Sequence, residues 1–184
     1  NAQQRTGADT AGASADADDS ATAEAGASLP ALAPELITTT GQLNALVERL
    51  MACQDPLAPV SVDTETSDLN PFKAQLVCVG VCWGADLNAL AYIPVGHTPP
   101  ATSDGDAEAE LPEQLALDAV LQALAPWLAS SDHPKALQNA KYDRLILLRH
   151  GLVLGGVVMD TLLADYLRDA AAKHGLDLMA QRDY

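Results

Sequence analysis

The stretch Val60-Ser61-Val62-Asp63-Thr64-Glu65 alternates apolar and polar side chains, the two-residue period of a strand with one buried face. Two more strand-like runs follow closely. Gln75 to Trp83 is rich in valine and closes on Gly84, and Ala89 to Val95 carries Tyr92 and Ile93. The connections Ser67–Lys73 and Gly84–Asn88 hold turn residues, so the three runs are expected to pair as an antiparallel meander.

Outward from the meander the pattern changes period. Upstream, Leu36-Ile37-Thr38 reads as a short strand, and Gly41 to Gln54 carries Leu43, Leu46, Val47, Leu50 and Met51 at helical spacing. Downstream, the acidic stretch from Thr98 to Pro112 reads as a surface loop. Glu113 to Ser130 then has Leu117, Leu121, Leu124 and Leu128 on one helical face, with Pro126 expected to bend or shorten it. Lys135–Gln138 reads as a strand, and Asn139–His150 as a helix stopped at Gly151, which suits the left-handed position after a helix. Val157–Met159 reads as a last strand, after which Asp160 can cap a helix running through Leu167. A meander followed by alternating helices and strands predicts an α/β fold, a mixed sheet with helices on both faces.

Hydrophobic residues make up 48% of the 184-residue chain, enough for one core. Residues 1–33 are mostly Ala, Asp, Gly, Ser and Thr; so few large apolar side chains cannot offset the entropy of ordering, and a disordered linker is expected there. No run approaches the ~18 apolar residues of a membrane span, and no basic-then-apolar leader is visible, so a cytoplasmic protein with no membrane partner is expected. Cys53, Cys78 and Cys82 lack the spacing of a metal or redox pair. The chain opens on Asn1 and closes inside a helical run, and is expected to be part of something longer. Its net charge of −15 argues against a stand-alone module that grips duplex DNA by its phosphates.

The chemistry-bearing signal begins with Asp63 and Glu65. Two apart on a strand, they share a face with Cα atoms ~7 Å apart, a spacing from which two carboxylates can converge on divalent cations about 3.5–4 Å apart. Hard oxygen ligands suit Mg²⁺ or Mn²⁺ better than zinc. The same alternation also suits the solvated face of an outer strand. In the later helix, Asn139, Tyr142, Asp143, Ile146 and Leu147 form one stripe. Its apolar part must face the sheet, which turns Asp143 inward in the first turn, where a carboxylate needs a partner or a metal. Pairing with Arg144 or Lys141 at the surface is the alternative.

In order along the chain, these segments resemble the proofreading 3′→5′ exonuclease domain of bacterial DNA polymerase I, a ribonuclease-H-like fold. Val62-Asp63-Thr64-Glu65-Thr66 followed by Leu69 is similar to that family's first motif, and Gln138-Asn139-Ala140-Lys141-Tyr142-Asp143-Arg144 to its second. Tyr92-Ile93-Pro94-Val95 with His97, and Met159-Asp160-Thr161-Leu162-Leu163 with Tyr166, look like its connecting segments. The resemblance implies that residues 34–184 are the front part of the domain, with a polymerase domain downstream in the same chain supplying most of the DNA affinity.

It further implies that Asp63, Glu65 and Asp143 are catalytic and bind two divalent cations, Mg²⁺ or Mn²⁺, one activating the attacking water and one steadying the departing 3′ oxygen. Leu69 would wedge against the terminal base of a single-stranded DNA 3′ end, while Thr66, Asn139 and Tyr142 line the strand's path. The family's third motif, an Asp and a Tyr, would lie beyond Tyr184, because Tyr184 follows Gly175–Ala180 too soon to be that tyrosine. The chain as it stands is therefore expected to be inactive. A ribonuclease-D-like RNA exonuclease and a non-catalytic structural module of a polymerase are the competing readings. Asp160 reads as a helix cap and Asp177 as a solvated or capping residue, and His97, His133, His150 and His174 show no ligand spacing.

Overall fold

The computed structural model describes residues 31–99, 111 and 113–183. Residues 1–30 of the expected linker and most of the expected loop at 98–112 lie outside the described residues. The meander forms as anticipated: β2 (Val60–Thr66), β3 (Leu76–Cys82) and β4 (Leu90–Pro94) pair antiparallel. β1 (Glu35–Leu36) runs parallel to β4, while β5 (Lys135–Leu137) and β6 (Val157–Asp160) extend the other side in parallel. Among the described residues the sheet has six strands in the order β1-β4-β3-β2-β5-β6. The parallel pairs are those reached through a helix, as a crossover requires.

Helix α1 (Thr40–Ala52) starts where Thr39 and Gln42 close a capping box, the Thr39 Oγ1 accepting from the Gln42 N–H and the Gln42 Oε1 from the Thr39 N–H. Its Leu43, Leu46 and Leu50 are buried, as are Val120, Leu121, Leu124, Trp127 and Leu128 of α2 (Leu117–Ala129) and Ile146 and Leu147 of α3 (Ala140–Arg149). Together they cover the sheet face presented by Val60, Val62, Val79, Val81, Ile93 and Leu137. Each fully buried leucine there contributes about 1.5–3 kcal/mol.

α2 begins at Leu117, four residues later than the expected start at Glu113, where Gln114 is engaged elsewhere: its side chain accepts from the His97 N–H and donates to the His97 carbonyl. The helix also runs through Pro126 and ends at Ala129. Gly151, with φ 76°, takes the left-handed position after α3.

α4 (Thr161–Arg168) and α5 (Leu176–Asp183) belong to the other face. They are tied together through the buried Asp165, which accepts from Arg182 at 2.5 Å and lies 2.6 Å from His174 Nδ1. The His174 imidazole holds the Asp165 carboxyl below the usual carboxylate range. This second face is only fringed by helices. Ser61, Asp63, Gly80, Cys82, Tyr92 and Gln138 look into a cavity of ≈ 460 Å³ that Thr161 and Leu176 border.

Candidate functional site

Alternation along β2 fixes where its polar residues go. Asp63 and Glu65 are exposed on the open face, and Thr64 between them is buried on the closed one. Asp63 stands opposite Gly80 and Glu65 opposite Cys78. A bulge follows, since Thr66 pairs with Leu76 and Val77 is skipped. The extra residue returns Leu76 to the closed face beside Thr66 and ends regular pairing at the carboxyl end of β2.

Asp143 meets this end from above. It sits in the first turn of α3 with only 3% of its surface exposed, so the expected inward orientation is what the structure has. The surface pairing with Lys141 or Arg144 does not form; Arg144 donates instead to the Leu154 carbonyl. Thr64 Oγ1 donates to Asp143 Oδ1 at 2.7 Å. Burial pushes the Asp143 carboxyl up to about 6; the negative charge of Asp63 pushes the same way, and the Thr64 hydroxyl partly opposes both. Asp63 and Asp143 thus act on each other electrostatically across the end of β2. Glu65 lies one step further along the open face. Among the described residues no three His, Cys, Asp or Glu side chains converge closely enough to hold a metal ion.

The same helix fixes the loop after β2. The hydroxyls of Tyr142 and Thr66 are 2.5 Å apart, and the Tyr142 phenol donates to the Asp68 carbonyl at 2.6 Å. From the far end of α3, Arg149 Nη1 donates to the carbonyls of Pro71 and Ala74 at 2.7 and 2.6 Å. Leu69 rides on this braced loop with 94% of its surface exposed. Asn139 precedes α3 with φ 64° and ψ 51°, and its side chain makes no capping hydrogen bond. Asp160 caps α4 through the Leu163 N–H, as its position suggested.

Thr64 was missed as a site residue. Its place on the closed face is legible in the alternation, but its partner lies 79 positions away. Also unforeseen is the cluster behind Glu65. The Tyr92 hydroxyl lies 2.7 Å from His97 Nε2, and burial raises both the Tyr92 phenol and the Cys78 thiol above their ordinary ranges.

Residues 34–183 match the model of the family described as 3'-5' exonuclease. The chain is 42% identical over 149 residues to DNA polymerase I of Synechocystis sp., an alignment covering 81% of this chain and 14% of that protein. Of solved structures, the "POL domain of Pol1 from M. smegmatis", in complex with DNA primer-template and dNTP, superposes with a TM-score of 0.56 at 25% identity, over 83% of this chain and 22% of that one. Escherichia coli RNase D superposes with a TM-score of 0.53 at 19% identity, over 82% of this chain and 33% of that one; at that identity the likeness concerns the fold alone. No helix among the described residues is long and apolar enough to cross a membrane.

Proposed function

The chain belongs to the 3'-5' exonuclease family, and from that membership we propose that it is the proofreading portion of a DNA polymerase I, removing nucleotides from a single-stranded DNA 3′ end in the cytoplasm. The family works with divalent metal ions, and Asp63, Glu65 and Asp143 are the residues that would hold them here, as Mg²⁺ or Mn²⁺. The donor chemistry suits such ions, hard carboxylate oxygens from two elements near one strand end, although the three side chains do not themselves converge on one point. Bound there, the cations would neutralise charge on the phosphate and activate water.

The observation that carries the reading is Asp143. A carboxylate 3% exposed, with one hydroxyl donor, only weak backbone help, no cationic partner among the described residues and an anion for a neighbour, is a costly arrangement without a cation to join it. The chain's own groups do the rest. Leu69, held out by the braced loop, is placed to wedge the terminal base, and Thr66, Tyr142 and Asn139 to line the strand's path. Such contacts tolerate any base, as removal of mismatched ends needs.

In this reading residues 1–33 are a linker, residues 34–184 the front of the exonuclease domain, and a polymerase domain of the same protein supplies most of the affinity for DNA. In the full-length protein, Asp63→Ala and Asp143→Ala are each expected to slow Mg²⁺-dependent digestion of a single-stranded oligodeoxynucleotide by about a thousandfold or more. Near-normal rates in either variant would falsify the metal assignment. The same assay on an oligoribonucleotide separates a DNA from an RNA exonuclease.

A further inference from the structure

Asp160 does more than cap the helix it precedes. It ends β6, pairs in register with Leu137 of β5, and so stands where two neighbouring parallel strands give way to α3 and α4. Its Oδ1 accepts from the Leu163 N–H at 3.2 Å, the cap of α4. The same oxygen also accepts from the Asn139 N–H at 3.1 Å, and Oδ2 from the Ala140 N–H at 2.9 Å. One carboxylate therefore closes the amino ends of two helices.

The backbone at Asn139 is shaped for this. Asn139 is the only non-glycine with positive φ among the described residues, a conformation that costs roughly 1–2 kcal/mol for an L side chain. A left-handed residue followed by a helical one turns consecutive N–H groups into a concave anion seat, and the positive end of the α3 dipole adds to it. Asp160 fills that seat. Asn139 occupies the capping position of α3, where asparagine ordinarily caps with its own oxygen; here its side chain is released from that duty. Three residues on from Ala140 is Asp143.

We propose that Asp160 is a positioning residue of the exonuclease site: seated on the Asn139 and Ala140 N–H groups, it locks the first turn of α3, sets the Asp143 carboxylate, and frees the Asn139 side chain for the nucleic-acid strand. This rests on the assignment of Asp143 made above. The two substitutions Asp160→Asn and Asp160→Ala separate positioning from capping. An asparagine can still cap α4 through its oxygen, but its amide must oppose at least one N–H of the seat, whereas alanine removes both functions.

In the full-length protein with Mg²⁺, Asp160→Asn is expected to lower kcat on a single-stranded oligodeoxynucleotide about tenfold or more, as loss of a ligand-orienting partner does, with KM moving by less than about threefold. Amide exchange over residues 139–143 should accelerate about tenfold or more in both variants, and Asp160→Ala should also loosen the first turn of α4. Unchanged kcat in Asp160→Asn, or unchanged exchange over residues 139–143, overturns the proposal. Asp143→Ala in the same assay keeps the two readings apart. Should that variant stay active, the metal-holding role of Asp143 fails, and the exchange rates alone decide whether Asp160 holds the turn.

Discussion

Two ionisable groups are buried at opposite ends of the β5–α3 unit, and their surroundings differ in kind. Lys135, the first residue of β5, is 0% exposed. Its ammonium donates to the carbonyls of Ser130 and His133 at 3.2 and 2.7 Å and lies 4.8 Å from the centre of the Trp127 ring. Ser130 is the carboxyl cap of α2, so the charge also meets the negative end of a helix dipole. Gly156 lets β6 close over this cluster: at φ 66°, a Cβ there would fall 2.6 Å from the His133 oxygen and 2.7 Å from that of Ser130. Asp143, at the other end, has one hydroxyl, weaker help from the backbone of Thr64 and of its own residue, and the repulsion of Asp63. Burial disfavours both charges, but the cation has two carbonyl acceptors and an aromatic face around it, which is how a structural charge looks. The anion is left short of a positive partner, which is how a binding site looks.

Substitution should make the two ends answer oppositely. Lys135→Ala removes a side chain packed on Trp127 and strips one buried and one half-buried carbonyl of their donor, and is expected to cost about 3–4 kcal/mol in urea unfolding. It should leave kcat of the folded fraction near normal. A cost under about 1 kcal/mol would mean that the carbonyl cluster is not a structural seat.

Asp143→Asn should do the reverse. Because the folded-state value of about 6 exceeds the ordinary 3.8, the carboxyl contributes stability that is fully present below pH 3.8 and lost as pH rises through about 6. Replacing it with a neutral isostere is therefore expected to stabilise the metal-free protein by about 2–3 kcal/mol at pH 7.5, a gain fading to nothing near pH 4. Urea titrations of both proteins across that range test it, and a variant no more stable than the parent at pH 7.5 would show that Asp143 is not strained by burial. The burial that raises Asp143 lowers Lys135, to about 8. Stability tied to Lys135 is thus complete above its ordinary 10.5 and declines as pH falls through about 8.

Of these two ends, the sequence disclosed one. The stripe Asp143, Ile146, Leu147 turns on a helical period that needs only local spacing, so the inward carboxylate was visible, as were the meander, the Asp160 cap and the left-handed Gly151. Lys135 was placed on a strand without sign that its side chain runs into the core, because a three-residue strand is too short for alternation to assign a face. The bulge at Val77, the late start of α2 and the left-handed Asn139 were also hidden. Each depends on a contact between distant segments: Thr66 with Leu76, Gln114 with His97, Asp160 with the Asn139 N–H. Period and propensity carry no information about which of two faces a remote partner will approach. Motif order is a separate source of information, and the strand-lining roles proposed for Asn139 and Tyr142 rest on it alone.

The smallest expected effect probes the contrast most directly, through Thr64. Thr64→Val keeps the shape of the side chain and removes only the O–H that reaches Asp143 at 2.7 Å. A hydrogen bond to a carboxylate favours its charged form, so losing it should raise the Asp143 carboxyl beyond its present position of about 6, readable by side-chain NMR titration of the metal-free protein. The accompanying loss of stability should be about 1 kcal/mol at pH 8, since the gain from an apolar methyl on the closed face offsets part of a bond to a charged group. At pH 4.5, with Asp143 protonated, the loss should shrink. If the carboxyl titrates unchanged in Thr64→Val, the hydroxyl is not what steadies the anion, and Asp143 must lean on the neighbouring backbone instead. It would then resemble Lys135 in being satisfied where it stands, and the difference between the two ends would disappear.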